Sequence, residues 1–285
     1  HFKAYSVLTR AHNCILVNGE DQHSRKKGAD GRIAAYFDSP GFGYVVGDVS
    51  DPDVYNGQVK RFDRRVLFIK PGFVVIHDVL EATEGPARWD WLLHTVADIQ
   101  VAEKPQAFCV PLKNASLTGR FLAPDDLSFK VTKGYPVDPV DKYSTRPVPP
   151  ERWVDEWTLT ATPQQKRKLE DFFVVMAIDR GSPQEHGIEQ LDGQGCWAAV
   201  ARDAEAEYLV MSRQRDAALM KAGGAVSDGQ FACLVRQGKN LRRAFMANGT
   251  RLDANGQVIL SASDSASLSV LSTFHGKLAT VSLSQ

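Results

Sequence analysis

Short apolar or alternating segments recur along the whole chain, and glycine, asparagine, aspartate or proline bounds each of them. The segments are about 5 to 8 residues long and rich in valine, isoleucine and phenylalanine, which is typical of β-strands. They are CILVNG, RIAAYFDSPG, GYVVGD, RRVLFIKPG, FVVIHDVLE, WDWLLHTV, FFVVMAID, CWAAVA, AEYLVMS, FACLVRQ, LRRAFMANG, QVILSA and ATVSLSQ. Turn sequences such as ANGQ separate them. The pattern predicts an all-β protein, a large two-layer antiparallel β-sandwich.

Two stretches depart from this pattern. In TPQQKRKLEDF, Thr162 suits an N-cap and Pro163 suits the first helical position, so a short surface helix is expected. Residues 133–157 hold several prolines and little periodicity, with tyrosines and tryptophans available to anchor them. The strand patterns before and after this proline-rich excursion are alike, so we expect a single domain over residues 1–285.

Composition and charge limit the classes of binding partner that can be expected. The chain has 285 residues with 34 Lys+Arg and 34 Asp+Glu, so its net charge is zero and nucleic acid is not expected as a partner. No apolar run is long enough to cross a bilayer, so no membrane is expected either. The sequence begins at His1, without a methionine or a signal-peptide pattern, so we expect a segment upstream of it. The four cysteines are far apart and predict buried, small apolar side chains.

Two histidines stand out because of the strands that they flank. His12 opens AHNCILVNG, and the loop after this segment leads to RIAAYFD. If the two segments pair as a hairpin, His12 faces Asp38 on one face of the sheet, with Cβ atoms about 5 Å apart. His94 ends another strand and would complete a set of two histidines and one aspartate, which is an ordinary zinc set. Asp48 is the rival carboxylate, and a metal-free hydrogen bond between histidine and aspartate is the alternative.

A tyrosine and a basic strand are the other candidates. Tyr55 follows an acidic turn and precedes KRFDRR, and this pattern indicates an amphipathic strand tyrosine. Arg61, Arg64 and Arg65 lie close together on that strand. They form either a solvated basic face or a rim that binds anions. The sequence has no glycine-rich phosphate loop, no GxSxG segment and no paired-cysteine metal motif.

Four segments resemble, in order, parts of the C-terminal β-domain of heparinase II/III-like polysaccharide lyases. AHNCILVNGEDQ resembles the segment that opens that domain, and YFDSPGFGYVVGDVSDPDVY resembles its second and third strands. VKRFDRRVLFIKPGFVVIHDVLEA resembles its arginine-pair and lysine–proline run, with His77 where an acidic residue is more usual. WDWLLHT resembles its LLH segment. The resemblance covers residues 5–97, and beyond them it rests on strand-rich character.

The resemblance implies part of an enzyme that cleaves acidic polysaccharides by β-elimination. An N-terminal (α/α) toroid, absent from this chain, would form the cleft together with the sandwich and would carry most of the catalytic groups. The resemblance also implies one structural zinc per chain. Carried over residue by residue, the ligands of that zinc fall on His12, Asp38 and His94.

The resemblance also suggests roles for residues of the cleft wall. Tyr55 is the candidate catalytic tyrosine, and Tyr44 is a weaker one. Arg61 and Arg65 are the candidate substrate-binding residues, since a basic strand suits any polyanion.

Two functions remain open at this point. The first is the sandwich domain of a periplasmic or secreted lyase, inactive by itself, whose glycan is heparin, heparan sulfate, alginate or a bacterial exopolysaccharide. The second is a non-catalytic carbohydrate-binding or structural β-sandwich, since fold does not determine function. The aromatic residues within 135–157 would then stack on sugars. An oxygenase of the double-stranded β-helix type fits less well, because His12 has no second ligand near it on its strand.

Overall fold

The structure, a computed structural model, describes residues 5–23, 26–136, 156–263, 268–274 and 277–283. These residues form an all-β fold, and every strand segment predicted from the alternation is confirmed. The strands are β1 (Ile15–Val17), β2 (Arg32–Asp38), β3 (Phe42–Asp48), β4 (Val59–Ile69), β5 (Phe73–Ala82), β6 (Trp89–Thr95), β7 (Gln100–Ala102), β8 (Ala107–Pro111), β9 (Ala115–Ala123), β10 (Leu127–Lys133), β11 (Trp157–Pro163), β12 (Leu169–Arg180), β13 (Glu189–Leu191), β14 (Cys196–Arg202), β15 (Glu207–Arg213), β16 (Met220–Ala222), β17 (Ala225–Ser227), β18 (Phe231–Gln237), β19 (Asn240–Ala247), β20 (Arg251–Ala254), β21 (Gln257–Ser261), β22 (Leu268–Phe274) and β23 (Lys277–Leu283). A 3-10 turn, Thr9–Ala11, precedes β1.

The strands form four sheets. Sheet I has the order β1-β6-β11-β10, and sheet II has the order β2-β3-β4-β5-β12-β9-β8-β7. Sheet III has the order β13-β14-β15-β18-β19-β22-β23, and sheet IV has the order β16-β17-β20-β21. The described residues fall into two compact units, the first within His1–Tyr36, Val45–Val66 and Ile76–Pro183, the second within Phe37–Tyr44, Leu67–Val75 and Gln184–Gln285. A single domain over the whole chain stays a prediction.

In the first unit, sheet I packs aromatic side chains against sheet II. The ring of Trp91 on β6 lies 5.1 Å from that of Phe121 on β9 and 6.3 Å from that of Phe108 on β8, between centroids. Phe129 on β10 lies 5.5 Å from the Phe121 ring. Because successive side chains of a strand point to opposite faces, the alternate residues of β6, β10 and β11 lie on the outer face of sheet I.

In the second unit, sheet IV covers one face of sheet III. Ala232 and Leu234 on β18 belong to one buried apolar cluster with Leu252 on β20. On the opposite face of sheet III, the Phe245 ring lies 5.5 Å from the ring of Phe42. Sheet III is therefore apolar on both faces, which explains why its strands appear in the sequence as nearly continuous apolar runs.

The ANGQ turn has the geometry that its sequence predicts. Asn255 and Gly256 connect β20 to β21, and Ala254 pairs with Gln257 across the turn. The φ angles of Asn255 and Gly256 are 51° and 79°. Left-handed values at both central positions are those of a type I′ hairpin turn, which asparagine and glycine adopt at little cost.

The predicted surface helix over residues 162–172 is wrong. Thr162 pairs with Ser128 at the end of β11, and β12 begins at Leu169. The residues between these strands bond other extended segments: Arg167 and Ala87 form an isolated antiparallel bridge with both hydrogen bonds at 3.1 Å, and the Lys168 oxygen accepts from the N–H of Ala82 on β5 at 2.8 Å. Helix propensity is a weak preference, and ladder hydrogen bonds on both sides outweigh it over so short a connection. In the described part of the chain, no helix has the length and apolar character needed to cross a membrane.

The proline-rich excursion over 133–157 begins and ends on paired strands. Lys133 on β10 is the register partner of Trp157 on β11. Next to this pair, the Gly134 N–H donates to the backbone oxygen of Glu156 at 2.8 Å. Residues 137–155 lie outside the described residues. The pairing of β10 with β11 therefore fixes the base of the excursion.

Candidate functional site

The outer face of sheet I is polar. Along the β6–β11 ladder, His94 is the partner of Thr158 and Leu92 is the partner of Thr160. Along the β10–β11 ladder, Thr132 is the partner of Thr158. Directly opposite residues point to the same face of a sheet. A histidine and a row of hydroxyls therefore share this face, opposite the tryptophan-rich core.

An open cavity of about 360 Å³ lies on the same face. Its walls combine two cations (Arg10 and Lys133), two aromatic rings (Tyr5 and Tyr135), three hydroxyls (Thr132, Thr158 and Thr160) and two leucines (Leu16 and Leu92). Apolar surface with a few convergent polar groups is typical of small-ligand sites. Hydroxyls and apolar side chains together suit a sugar ring, and cations suit an acidic substituent on that ring.

His94 lies at the edge of this face, held by the segment before β1. Its backbone N–H donates to Oδ1 of Asn13 at 2.7 Å, and its ring Nδ1 lies 3.3 Å from the same oxygen. Its Nε2 lies 3.0 Å from the backbone oxygen of Arg10. Burial lowers the pKa of His94 below its ordinary value; Glu156 and the Arg10 carbonyl oppose this shift, and nearby His12 adds to it. The His94 ring is therefore neutral at neutral pH.

A tyrosine and a carboxylate adjoin this histidine. The Tyr5 hydroxyl donates to Oε1 of Glu156, and this oxygen lies 3.9 Å from Nε2 of His94. The Tyr5 ring packs edge-on against Tyr135 at 6.5 Å. Burial, and after it the hydrogen bond to Glu156, raises the pKa of Tyr5. The wall of the cavity thus carries a hydroxyl that stays protonated, next to a carboxylate and a neutral imidazole.

The third predicted zinc ligand, Asp38, has a different environment. The hairpin that would place His12 opposite Asp38 is wrong, because β1 pairs with β6 and Ile15 lies opposite Trp91. β2 is instead the neighbour of β3 at the end of sheet II. The half-exposed Asp38 side chain forms an ion pair with Lys70. Local alternation located both strands but did not identify their partners.

The described residues do not fit the predicted zinc set. Nε2 of His12 lies 2.9 Å from the backbone oxygen of Ser6, and both ring nitrogens of His94 face protein oxygens. A neutral imidazole keeps a lone pair on its second nitrogen, so the misfit lies in the third ligand, because Asp38 is paired with Lys70. The rival carboxylate, Asp48, pairs with Arg32 at 2.8 Å. Within the described ranges, no three His, Cys, Asp or Glu residues are grouped to hold a metal ion. Zinc stays a prediction, and no chemical step is derived through it.

Tyr55 lies in the core and is 1% exposed. Its hydroxyl donates to the backbone oxygen of Ile15 at 2.8 Å and accepts from Nε2 of Gln22 at 2.9 Å. Burial raises the pKa of Tyr55 well above its ordinary value. These contacts support the start of β1, and a catalytic role for Tyr55 stays a prediction. Tyr44, the weaker candidate, is also buried, and its hydroxyl donates to Gln230 at 3.0 Å.

Substitution of Tyr55 separates these two roles. We expect Tyr55→Phe to lower the free energy of unfolding by about 1–3 kcal/mol, because the buried Ile15 oxygen loses its donor. Denaturant titration measures this loss, and Tyr36→Phe, at a side chain that is 66% exposed, is the control. Unchanged stability together with loss of glycan cleavage would contradict the structural role and support the catalytic one.

The arginines of β4 interact with other groups of the protein. Arg61 pairs with a carboxylate of its own strand at 2.7 Å. Arg64 donates to both oxygens of Asp78, at 2.6 and 2.8 Å. Arg65 is 3% exposed, and its charge helps to lower the pKa of buried His77. Substrate binding by Arg61 and Arg65 stays a prediction, and the cations that line the cavity come from other segments.

His77 makes stability sensitive to acid. This side chain is fully buried, and burial lowers its pKa, although Asp171 at 3.2 Å opposes the shift. The unfolded chain therefore binds a proton that the folded chain resists. The contribution of neutral, buried His77 to the free energy of unfolding is complete above the ordinary histidine pKa of about 6.5, and it is lost as the pH falls below this value. We expect the free energy of unfolding to fall less steeply on acidification in His77→Gln, and denaturation at several pH values measures this. Equal pH slopes would contradict the prediction.

Sequence patterns did not identify the cavity residues, because these come from separate segments. Arg10 precedes β1, Lys133 ends β10, and the two threonines Thr158 and Thr160 lie on β11. The alternation in WTLTATP places both threonines on one face, and this pattern alone could have indicated a polar surface on β11. Nothing local marks Arg10 or Lys133, since their proximity depends on β1 joining β6 and on β10 joining β11.

Comparisons with known proteins relate the fold to polysaccharide lyases. A mutant of the heparan sulfate lyase HepC from Pedobacter heparinus matches with a TM-score of 0.53 and 14% identity, over 72% of this chain and 30% of that chain. A second structure of HepC matches with a TM-score of 0.49 and 12% identity, over 68% of this chain and 29% of that chain. A heparinase III structure matches with a TM-score of 0.48 and 11% identity, over 80% of this chain and 30% of that chain.

Other comparisons give no match. No protein-family model matches the sequence, and no curated protein matches it either. At 14% identity and a TM-score of 0.53, the likeness to HepC shows a shared fold. This chain spans about 30% of the length of that lyase.

Proposed function

We propose that this chain is the β-sandwich part of a polysaccharide lyase that acts on a glycan containing uronic acid. The observation that carries the proposal is the open cavity on sheet I, where Arg10 and Lys133 flank threonine hydroxyls and leucine side chains. In this proposal a toroid domain of the same protein forms the other wall of the cleft. The protein acts in the periplasm or outside the cell, where such glycans are found.

The reaction explains why cations belong in this cavity. β-Elimination removes the proton on C5 of the uronate and breaks the bond from C4 to the glycosidic oxygen. The electron pair forms a double bond between C4 and C5, and the leaving oxygen takes a proton. Negative charge grows on the uronate carboxylate before the bond breaks, so cations near it lower the barrier. Arg10 and Lys133 would supply that charge, and the toroid would supply the principal acid and base.

Glycan binding by the chain tests the cavity. We expect Lys133→Ala to weaken binding of heparan sulfate or alginate oligosaccharides by about fivefold, since one exposed charge contact is worth about 1 kcal/mol. Lys60→Ala is the matched control, because Lys60 is exposed, pairs with Glu81, and does not line the cavity. Titration calorimetry measures both. Equal affinities in the two variants would remove the cavity from the proposal.

Measurement of turnover tests whether the sandwich binds the glycan while the toroid supplies the principal acid and base. We expect the chain alone to bind the glycan without cleaving it, and the chain joined to its toroid to produce unsaturated uronate. Ultraviolet absorbance of the new double bond measures the product. Rapid cleavage by the chain alone would contradict the proposed division. Absence of cleavage with the toroid present would contradict a lyase.

A non-catalytic carbohydrate-binding module is the second candidate. The buried hydroxyl of Tyr55 favours it, because the tyrosine predicted to act in catalysis is bonded to a backbone carbonyl. The same two experiments separate the candidates. Binding that depends on Lys133, with no unsaturated product from either form of the protein, would favour the binding module.

A further inference from the structure

Arg64 lies between a buried carboxylate and the segment that leads into β1. Its Nε and Nη2 donate to the two oxygens of Asp78, which is fully buried. Its Nη1 donates to the backbone oxygen of Asn13 at 2.5 Å. The Arg64 side chain is 19% exposed, and its guanidinium lies 6.0 Å from the centre of the Phe62 ring. The guanidinium thus connects the interior of the first unit to an exposed loop.

That loop leads directly to the cavity. Residues 10–13 carry Arg10, which lines the cavity, and Asn13, which accepts the backbone N–H of His94. The backbone oxygen of Arg10 lies against the His94 ring. At its first residue the loop is fixed by Asp21, which accepts from the Arg10 backbone N–H and from its Nε, both at 2.8 Å. At its last residue the loop is fixed by Arg64.

We infer that Arg64 is a positioning residue that holds residues 10–13 in place, so that Arg10 and His94 keep their positions beside the cavity. Arg64 does not line the cavity and would not touch the glycan. The consequence for glycan binding rests on the proposed function. The consequence for the loop does not, because it follows from the hydrogen bonds alone.

The geometry of the guanidinium explains why this position requires arginine. A guanidinium presents its donors in a fixed planar fork, so that two nitrogens can hold a carboxylate while a third reaches another acceptor. A lysine at position 64 has one nitrogen. It can neutralise Asp78, but it cannot also hold the Asn13 oxygen across the same gap. Arg64→Lys therefore keeps the buried charge paired and releases the loop.

Hydrogen exchange tests the loop directly. We expect faster exchange in Arg64→Lys at the amides of His94 and Leu92, which donate to Asn13 and Cys14. Arg167→Lys is the matched control, because Arg167 is also a partly buried arginine with two partners, and these are Asp126 and Glu170 rather than the loop. Its exchange at these amides should equal that of the parent protein. Parent-like exchange in folded Arg64→Lys would overturn the inference.

Glycan affinity distinguishes positioning from support of the fold. We expect Arg64→Lys to bind the heparan sulfate or alginate oligosaccharide about fivefold more weakly, with a thermal midpoint shifted no more than in Arg167→Lys. A purely structural residue would change the midpoint and leave the affinity of the folded protein unchanged, and this result would overturn the inference. If the parent chain binds no glycan, the proposed function fails, and hydrogen exchange alone decides whether Arg64 positions the loop.

A second variant covers the case in which Arg64→Lys does not fold. Asn13→Ala removes the side-chain oxygen that accepts the His94 N–H and leaves the Arg64–Asp78 pair intact. We expect it to fold, to exchange faster at His94 and to lose affinity to a similar extent. Unchanged exchange at His94 in this variant would overturn the inference.

Discussion

Replacing Trp91 with alanine should lower the free energy of unfolding by about 3–5 kcal/mol, the usual cost of removing a buried aromatic side chain. Trp91 is 2% exposed and lies between the Phe108 and Phe121 rings, where sheet I meets sheet II. Denaturant unfolding followed by circular dichroism measures the loss. A change below about 1 kcal/mol would mean that the two sheets do not depend on this contact.

Two further variants define how that loss arises. In the described part of the chain the Trp91 indole N–H has no hydrogen-bond partner, so the residue contributes through area and ring contacts. Trp91→Phe keeps much of this area and should cost clearly less than Trp91→Ala. Tyr36→Ala removes an aromatic ring that is 66% exposed, and it should cost about 0.5 kcal/mol or less. Equal costs for Trp91→Phe and Trp91→Ala would contradict a contribution that depends on the retained ring area.

Strand positions could be predicted from the sequence because their cause is local. Alternation along β3 buries Phe42, Tyr44 and Val46 and leaves the residues between them partly exposed, and the sequence shows this period directly. The Asn255–Gly256 turn is equally local, because its backbone angles suit these two residue types. Such features depend on a few consecutive residues and require no knowledge of the rest of the fold.

Strand partners could not be predicted in this way. Ile15 pairs with Trp91, which is 76 positions away, although a closer strand follows in the sequence. A strand whose apolar face must be buried can satisfy this need against any neighbouring strand, so alternation does not select the partner. The expected pairing of His12 with Asp38 failed for this reason. The predicted helix after Thr162 failed because cross-strand hydrogen bonds outweigh propensity.

In the candidate site, too, residues marked by local sequence could be predicted, and residues brought together by strand pairing could not. His94 could be selected because it ends a recognisable strand, and the structure places it on the outer face of sheet I. Lys133 could not be selected, since its place in the cavity wall depends on the pairing of β10 with β11. The charge of KRFDRR predicted either a solvated basic face or a rim that binds anions. The structure uses Arg64 to compensate Asp78 inside the protein, and a charge count cannot reveal such an internal pair.

Replacing Asp78 with alanine should lower the free energy of unfolding by about 3–5 kcal/mol, because it leaves the Arg64 guanidinium without its carboxylate in a mostly buried place. Asp78 is fully buried, and both its oxygens accept from Arg64. Removing one member of a buried pair costs more than the pair itself contributes, since the remaining charge has lost both water and partner. Thermal and denaturant unfolding measure this loss.

The control for this substitution is an exposed pair in the same unit. Asp53 pairs with Lys26 at 2.6 Å, but its side chain is 52% exposed, so water replaces the lost partner. Asp53→Ala should therefore change the free energy of unfolding by about 1 kcal/mol or less. Asp78→Asn should fall between the two alanine variants, because its amide oxygen still accepts one hydrogen bond from Arg64. Equal losses in Asp78→Ala and Asp53→Ala would contradict the burial of the Arg64–Asp78 pair. In that case the Arg64–Asp78 pair would not support the loop before β1, and the Arg10–Asp21 pair would be the remaining contact that holds this loop.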